Sequence, residues 1–348
     1  MRGPMHAAGR GLFVLVTVVA VILAAEQGLR RAEAADPCLG GPDCWALFPL
    51  QDGLQLPLYA SHALDAPAPQ IRRAVIVVHG IRRNAHQYFP MITAAAAIEG
   101  LRSQTLVLAP SFSIASDDRP HRRPGEVYWA GNRNWRHGDA SVSLPPGRIS
   151  SFGAVERLLS HLGDRRLFPN LDRITLAGHS AGGQFVQRFA VGHAPLAALS
   201  SVRLRYVVAN PGTYLYLGPE RPGPDFDGDF AVPSGADCAK YDRYQYGLGQ
   251  LNGFMARAGK DILRARAQDR DVVLLLGRND SDPDHETLNR KCAAALQGRH
   301  RLERGRLFKA HLDRLFGRHG TRIVEVPGVG HEGAEMFAAP EGRRAVFY

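Results

Sequence analysis

Residues 178–183 read Gly-His-Ser-Ala-Gly-Gly, and a serine set between two glycines at this spacing can act as a nucleophile where the backbone turns sharply. A β-type run, Arg173–Ala177, stops just before the motif, and helix-compatible residues, Ala181–Val191, follow it. In a strand-to-helix turn of this kind a Cβ on Gly178 or Gly182 would strike neighbouring backbone, so glycine is required at both. The turn pushes the Ser180 hydroxyl out at the amino end of the helix, where free N–H groups favour negative charge on an attacked carbonyl. Near neutrality a hydroxyl is inert without a base, so the chemistry also needs an imidazole and a carboxylate to orient it. Other chemistries lack their residues. There is no His-Glu-x-x-His, no paired Cys-x-x-Cys and no phosphate-binding loop, so neither a metal nor a cofactor is expected. His285-Glu286 and His331-Glu332 set potential ligands side by side, but adjacent residues seldom point the same way.

The elements that must position this turn follow from pattern. Short β-rich runs alternate with helical stretches from residue 46 onward, the signature of a mostly parallel α/β sheet wound with helices on both faces. Ala46–Leu50 and Gln55–Ala60 flank Asp52-Gly53 and predict an opening antiparallel hairpin. Further strands are predicted at 73–78, 104–109, 173–177, 205–209, 271–276 and 322–326, as apolar runs suited to burial on both faces. Helices are predicted at about 87–99 and at 150–162. Two segments break the alternation. Residues 111–149 lack periodicity and carry Trp129 and Trp135, and so long a loop in a compact domain is usually functional. Between the sixth and seventh predicted strands lies an insertion, read as a lid at about 213–268, rich in aromatics that include Tyr214. Both segments must emerge at the carboxyl ends of the strands, where sites form in open α/β sheets, so they are expected to roof Ser180 with an apolar wall. His179, Trp129, Trp135 and Tyr214 are the candidate substrate-binding residues; for the aromatics the competing reading is a small core of their own.

With these elements in place, the chain from residue 46 to 348 resembles the α/β-hydrolase superfamily. The resemblance implies a doubly wound α/β-hydrolase sheet and partners in the chain order Ser, then Asp or Glu, then His. Gly277-Arg278-Asn279-Asp280, after the strand DVVLLL, resembles the family's acid-bearing turn, and Pro327-Gly328-Val329-Gly330-His331 resembles its histidine loop. Ser180 is thereby implied as nucleophile, His331 as base and Asp280 as the orienting carboxylate, with Asp282 the next candidate for the acid. His79-Gly80-Ile81-Arg82 resembles the oxyanion loop, which implies the backbone N–H groups of Ile81, or else Arg82, and of Ala181 as donors. His79 itself is expected to bond loop backbone. Asn84, Ala85, Tyr88 and Phe89 resemble a segment of some bacterial and fungal hydrolases close to polyester depolymerases. The implied activity is hydrolysis of a small-molecule or polymeric carboxylic ester. Lipase, polyester depolymerase and acyltransferase are variants of the same mechanism, and a non-catalytic binding protein on this scaffold is the reading from another class.

Residues 11–25 form an apolar run of fifteen, preceded by Arg2 and Arg10 and followed by Ala32-Glu33-Ala34, the layout of a secretory signal. The run is shorter than the ~20 residues that span a bilayer comfortably. Residues 1–34 are therefore expected to be a signal peptide or an amino-terminal anchor, and 35–348 one hydrolase domain, exported to the periplasm or beyond. Membrane contact is expected only through that segment, if it is retained. Cys38, Cys44, Cys238 and Cys292 make an even count, which favours disulfides in an exported chain. Three pairings are open; Cys38 with Cys44 and Cys238 with Cys292 are the ones expected. The 43 Lys and Arg against 33 Asp and Glu give a formal charge of +10, but no basic run of nucleic-acid-binding length appears. No nucleic-acid partner is expected, and the charge is read as serving solubility.

Overall fold

The structure, a computed structural model, describes residues 1, 3, 37–117, 122–143, 147–234 and 238–348. The expected signal segment, residues 1 and 3 apart, lies outside the described residues. Among the described residues ten strands follow in chain order: Trp45–Pro49 (β1), Gln55–Ala60 (β2), Arg73–Val78 (β3), Thr105–Pro110 (β4), Arg173–His179 (β5), Arg203–Ala209 (β6), Arg221–Pro222 (β7), Phe230–Ala231 (β8), Asp271–Gly277 (β9) and Thr321–Val326 (β10). Eight of them form one sheet in the order β1-β2-β4-β3-β5-β6-β9-β10. The β1–β2 hairpin is antiparallel, with Pro49 opposite Gln55, and β2 meets β4 antiparallel; every other pairing in the sheet is parallel. The remaining two strands, β7 and β8, make a short antiparallel ribbon inside the insertion.

Both faces of the sheet are buried, and the strand period of two sorts side chains between them. Ile76, Leu108, Leu176, Val208 and Leu274 join one apolar cluster, while their neighbours Val77, Val107, Ala177, Val207 and Leu275 join the other. The second face is covered by helices Ala85–Ile98, Gly333–Ala338 and Pro340–Phe347. Helices Ser151–Leu162, Ala181–Gly192 and Arg301–Phe316 contribute to the first. Ser150 begins the helix Ser151–Leu162 by accepting the Phe152 N–H at 3.1 Å, an N-cap that leaves one fewer unsatisfied donor.

Parallel register brings the loops that matter to one edge. Val78 lies opposite Gly178, His179 opposite Ala209, Ala209 opposite Leu275, and Val326 opposite Gly277. The segments that leave β3, β5, β9 and β10 therefore start side by side.

The aromatics expected to roof Ser180, Trp129, Trp135 and Tyr214, lie in the core instead. Trp129 and Trp135 are fully buried in the first core cluster, where Phe112 stacks on Trp135 at 5.5 Å between centroids. Their indole N–H groups are spent inside the loop, on the Asp139 carbonyl and on Asn132 Oδ1. Tyr214 is equally buried, stacked on Phe308 at 4.5 Å. Aromatics drive this outcome because each buries a large apolar area, and packing into the core removes more of it from water than an open rim would.

The four cysteines form two disulfides, Cys38–Cys44 and Cys238–Cys292. The second joins the insertion to the segment between β9 and β10 across 54 residues, a closure that stabilises the fold by about 4 kcal/mol in the chain-entropy picture. Two disulfides suit an extracellular or periplasmic setting.

Candidate active site

Ser180 occupies the turn between β5 and the helix Ala181–Gly192 with φ 57° and ψ −113°, a region that side chains other than glycine rarely adopt. Such a conformation costs about 1–3 kcal/mol and persists only where the surroundings enforce it. Here they do. The Ser180 N–H donates to the Ala209 carbonyl at 2.9 Å, and its own carbonyl accepts from Gln184 N at 3.0 Å. A Cβ on Gly182 would run into the carbonyl oxygen of Val78 and lie 2.7 Å from that of His79, so the helix can approach β3 only with glycine at that position.

The strained turn aims the Ser180 hydroxyl at His331, whose Nε2 is 3.0 Å from Oγ. On the other side of the ring, Nδ1 lies 2.7 Å from Asp280 Oδ2. A carboxylate only accepts, so Nδ1 carries the proton and Nε2 presents a lone pair to the serine. Burial pushes the His331 pKa down; the hydrogen bond to Asp280 opposes this, and the net effect is a value below the ordinary 6.5. For Asp280, burial alone would raise the pKa, but His331 and Arg301 outweigh it and hold the carboxyl below its usual range. Asp282, the other candidate for the acid, is exposed and accepts the Asp284 N–H at 2.8 Å.

The acid turn and the histidine loop are clamped together by Asn210. Its Nδ2 donates to the Gly330 carbonyl at 2.9 Å and its Oδ1 accepts the Gly277 N–H at 2.8 Å. A Cβ on Gly277 would sit 2.6 Å from the carbonyl oxygens of Val329 and Gly330, so the two loops meet at glycine. Asn210 is fully buried and was legible in the sequence only as the start of an Asn-Pro-Gly turn.

The fold that carries these loops is similar to that of solved proteins. One is poly(aspartic acid) hydrolase-1 from Sphingomonas sp. KT-1, at 24% identity over 87% of this chain and 98% of that one, with a TM-score of 0.60. Another is a poly(3-hydroxybutyrate) depolymerase from Bordetella parapertussis, at 24% identity over 85% of this chain and 87% of that one, with a TM-score of 0.59. The chain has the α/β-hydrolase fold. Its sequence matches no protein-family model and no curated protein.

On this scaffold the cleft over Ser180 holds about 200 Å³ and is built from two walls. One is the segment after β3, with Ile81, Arg82, Asn84, Gln87 and Tyr88; the other combines His285, Glu286 and Thr287 with Glu332 and Gly333. Among the described residues none of its lining comes from 111–149 or 213–268, and the rim there is open and hydrogen-bonding. Of the four candidate pocket residues only His179 reaches the cleft; Trp129, Trp135 and Tyr214 lie in the packed interior. His179 Nδ1 is 2.9 Å from Tyr88 Oη, and its ring lies against that of His331 at 4.8 Å. Burial holds the His179 pKa well below 6.5, which leaves a neutral ring beside His331. His79 bonds the Gly80 carbonyl through Nδ1 and accepts the Phe112 N–H at Nε2, with its pKa lowered by burial to about 4. Of the expected oxyanion donors, Ile81 lines the cleft and Ala181 opens the helix, where its N–H has no acceptor within the helix. A larger cavity, about 750 Å³, lies at the opposite end of the strands among Glu99, Arg205, Arg322 and Tyr348, away from Ser180.

Proposed function

We propose that the protein is a serine hydrolase that cleaves carboxylic esters through an acyl-enzyme. The observation that carries this reading is the unbroken relay from Ser180 Oγ to His331 Nε2 at 3.0 Å and from His331 Nδ1 to Asp280 Oδ2 at 2.7 Å. Ser180 attacks the ester carbonyl while His331 takes its proton, and Asp280 stabilises the imidazolium that results. The backbone N–H groups of Ile81 and Ala181 receive the oxyanion, a contact worth about 10²–10³ in rate per donor. Collapse expels the alcohol, which leaves with the proton from His331, and water then releases the acid by the same steps in reverse order of roles.

The rim of the cleft points to small or polar esters, or to one unit of an extended chain, rather than to long acyl chains. Arg82, Asn84, Gln87, Glu286, Thr287 and Glu332 all offer hydrogen bonds there, and no deep apolar channel adjoins Ser180 among the described residues. Of the two structural counterparts, the depolymerase is named for poly(3-hydroxybutyrate), a polyester, which makes polyesters a rational class to assay beside small esters. The disulfides and the layout of residues 1–34 together favour action outside the cytoplasm.

Labelling with a fluorophosphonate, followed by assay on p-nitrophenyl esters from acetate to long chains and on polyester films, tests the reading. Labelling is expected at Ser180, and Ser180→Ala is expected to lose about 10⁴–10⁶ in turnover. Wild-type turnover in that variant would sink the proposal.

A further inference from the structure

Asp280 has two carboxylate oxygens, and only Oδ2 faces the base. The other, Oδ1, accepts from Arg301 Nη1 at 3.2 Å, in a pair whose side chains are 1% and 2% exposed. The guanidinium has a second anchor, because Nη2 donates to Thr287 Oγ1 at 2.8 Å. Thr287 lines the cleft and donates its N–H to His285 Nδ1 at 3.2 Å, and the His285 ring packs edge-on to that of His331 at 5.1 Å. One continuous chain of contacts thus runs from the buried acid, through Arg301, to the cleft rim and back to the base.

Resting on the serine-hydrolase reading, we infer that Arg301 is a positioning residue for the reaction: it aims the Asp280 carboxylate at His331 and ties the acid to the rim through Thr287. A carboxylate buried this deeply needs a second partner, since one hydrogen bond leaves most of its lone pairs bare. A fixed cation held against the far oxygen of the acid also disfavours an imidazolium in the same pocket. Arg301 and His285 both act on His331 in this downward sense, after the larger effect of burial and against its hydrogen bond to Asp280. The other groups around the ring differ. Ser180 and the neutral His179 close it from the β5 side, Glu332 follows it in its own loop, and Glu286 and Arg82 stand on the solvent-facing rim. Among the described residues Arg301 is the buried guanidinium paired to Asp280.

The test is the pH profile of kcat/KM on a p-nitrophenyl ester for the protein and for Arg301→Gln, Arg301→Lys and Thr287→Val, with fluorophosphonate labelling of each. Arg301→Gln is expected to lose about tenfold or more in kcat and to shift the acid limb up by about one pH unit, because the base keeps its proton to higher pH once the cation is gone. Arg301→Lys returns the charge and should return the limb to the wild-type position. Thr287→Val leaves the charge but frees the guanidinium, so kcat falls about two- to fivefold at an unmoved limb. An Arg301→Gln protein that labels and keeps the wild-type limb overturns the inference. Should that variant fail to unfold cooperatively, Thr287→Val decides: reduced kcat at an unchanged KM supports the role, and wild-type kcat or a loss confined to KM overturns it. A wild-type chain that neither labels nor hydrolyses fails the hydrolase reading itself, and the positioning role falls with it.

Discussion

Ser180 is shaped by residues within three positions of it, Gly178, Gly182 and Gly183, whereas Asp280 and His331 are held by Arg301, 21 residues beyond the acid, and by Asn210, 120 residues before Gly330. The nucleophile side rests on a steric rule: a tight turn, positive φ and glycines where the helix and strand nearly touch. The base side rests on buried polar contacts that exist only when β6, β9, β10 and the helix Arg301–Phe316 have come together. Local sterics leave a signature in consecutive residues. Long-range polar clamps leave almost none.

This difference can be broken by substitution, and the largest effect is expected at the acid. Asp280→Asn should lower kcat by about 10⁴, since an amide in place of the carboxylate favours the wrong imidazole tautomer. Asp282→Asn should stay close to wild type in the same ester assay, and a larger loss there would move the acid role to the exposed residue. Gly182→Ala attacks the steric side. Its added methyl must displace the backbone of β3, so turnover should fall by about 10²-fold or more through misplacement of the hydroxyl. Near-wild-type turnover with an unchanged melting temperature would show that the turn is less constrained than its contacts imply.

Asn210→Ala attacks the clamp without touching the relay. It should cost about 1–3 kcal/mol of stability, because the buried Gly277 N–H and Gly330 carbonyl lose their partner, and denaturant unfolding reads this directly. An unchanged midpoint would mean that the two loops hold each other unaided. The smallest effect is a matter of position on the pH axis. The base must be neutral to act and burial lowers its pKa, so activity should persist below pH 6.5 and vanish only as the pH falls through that lowered value. An acid limb centred above 6.5 would contradict the buried environment of His331.

The eight strands of the main sheet were legible to within a residue or two because apolar runs of five or six residues suit a sheet covered on both faces, whereas the short ribbon of β7 and β8 was not predicted. The Gly178–Gly183 turn was legible for the steric reason above, while Asp280 and His331 were reachable through the chain order of the family that the sequence resembles. The pairing of Cys238 with Cys292 was one of three open arrangements, and the structure selects it. Trp129, Trp135 and Tyr214 went the other way. A sequence shows that an aromatic will seek burial but not which surface will bury it, and here the core took all three. With those rings withdrawn, the cleft is bordered by Arg82, Gln87, Thr287 and Glu332, and its polarity could not be read from the composition of the segments expected to cover it.

By itself the sequence determined the alternation of strands and helices, the sharp turn that exposes Ser180, and an even set of cysteines suited to an oxidising setting, because each depends on residue type and short spacing. Only the tertiary structure decided which oxygen of Asp280 meets His331, that Arg301 holds the other, that Asn210 joins the two loops, and what lines the cleft. Those are contacts between segments tens to more than a hundred residues apart, and their geometry comes into being only when the parallel strands align.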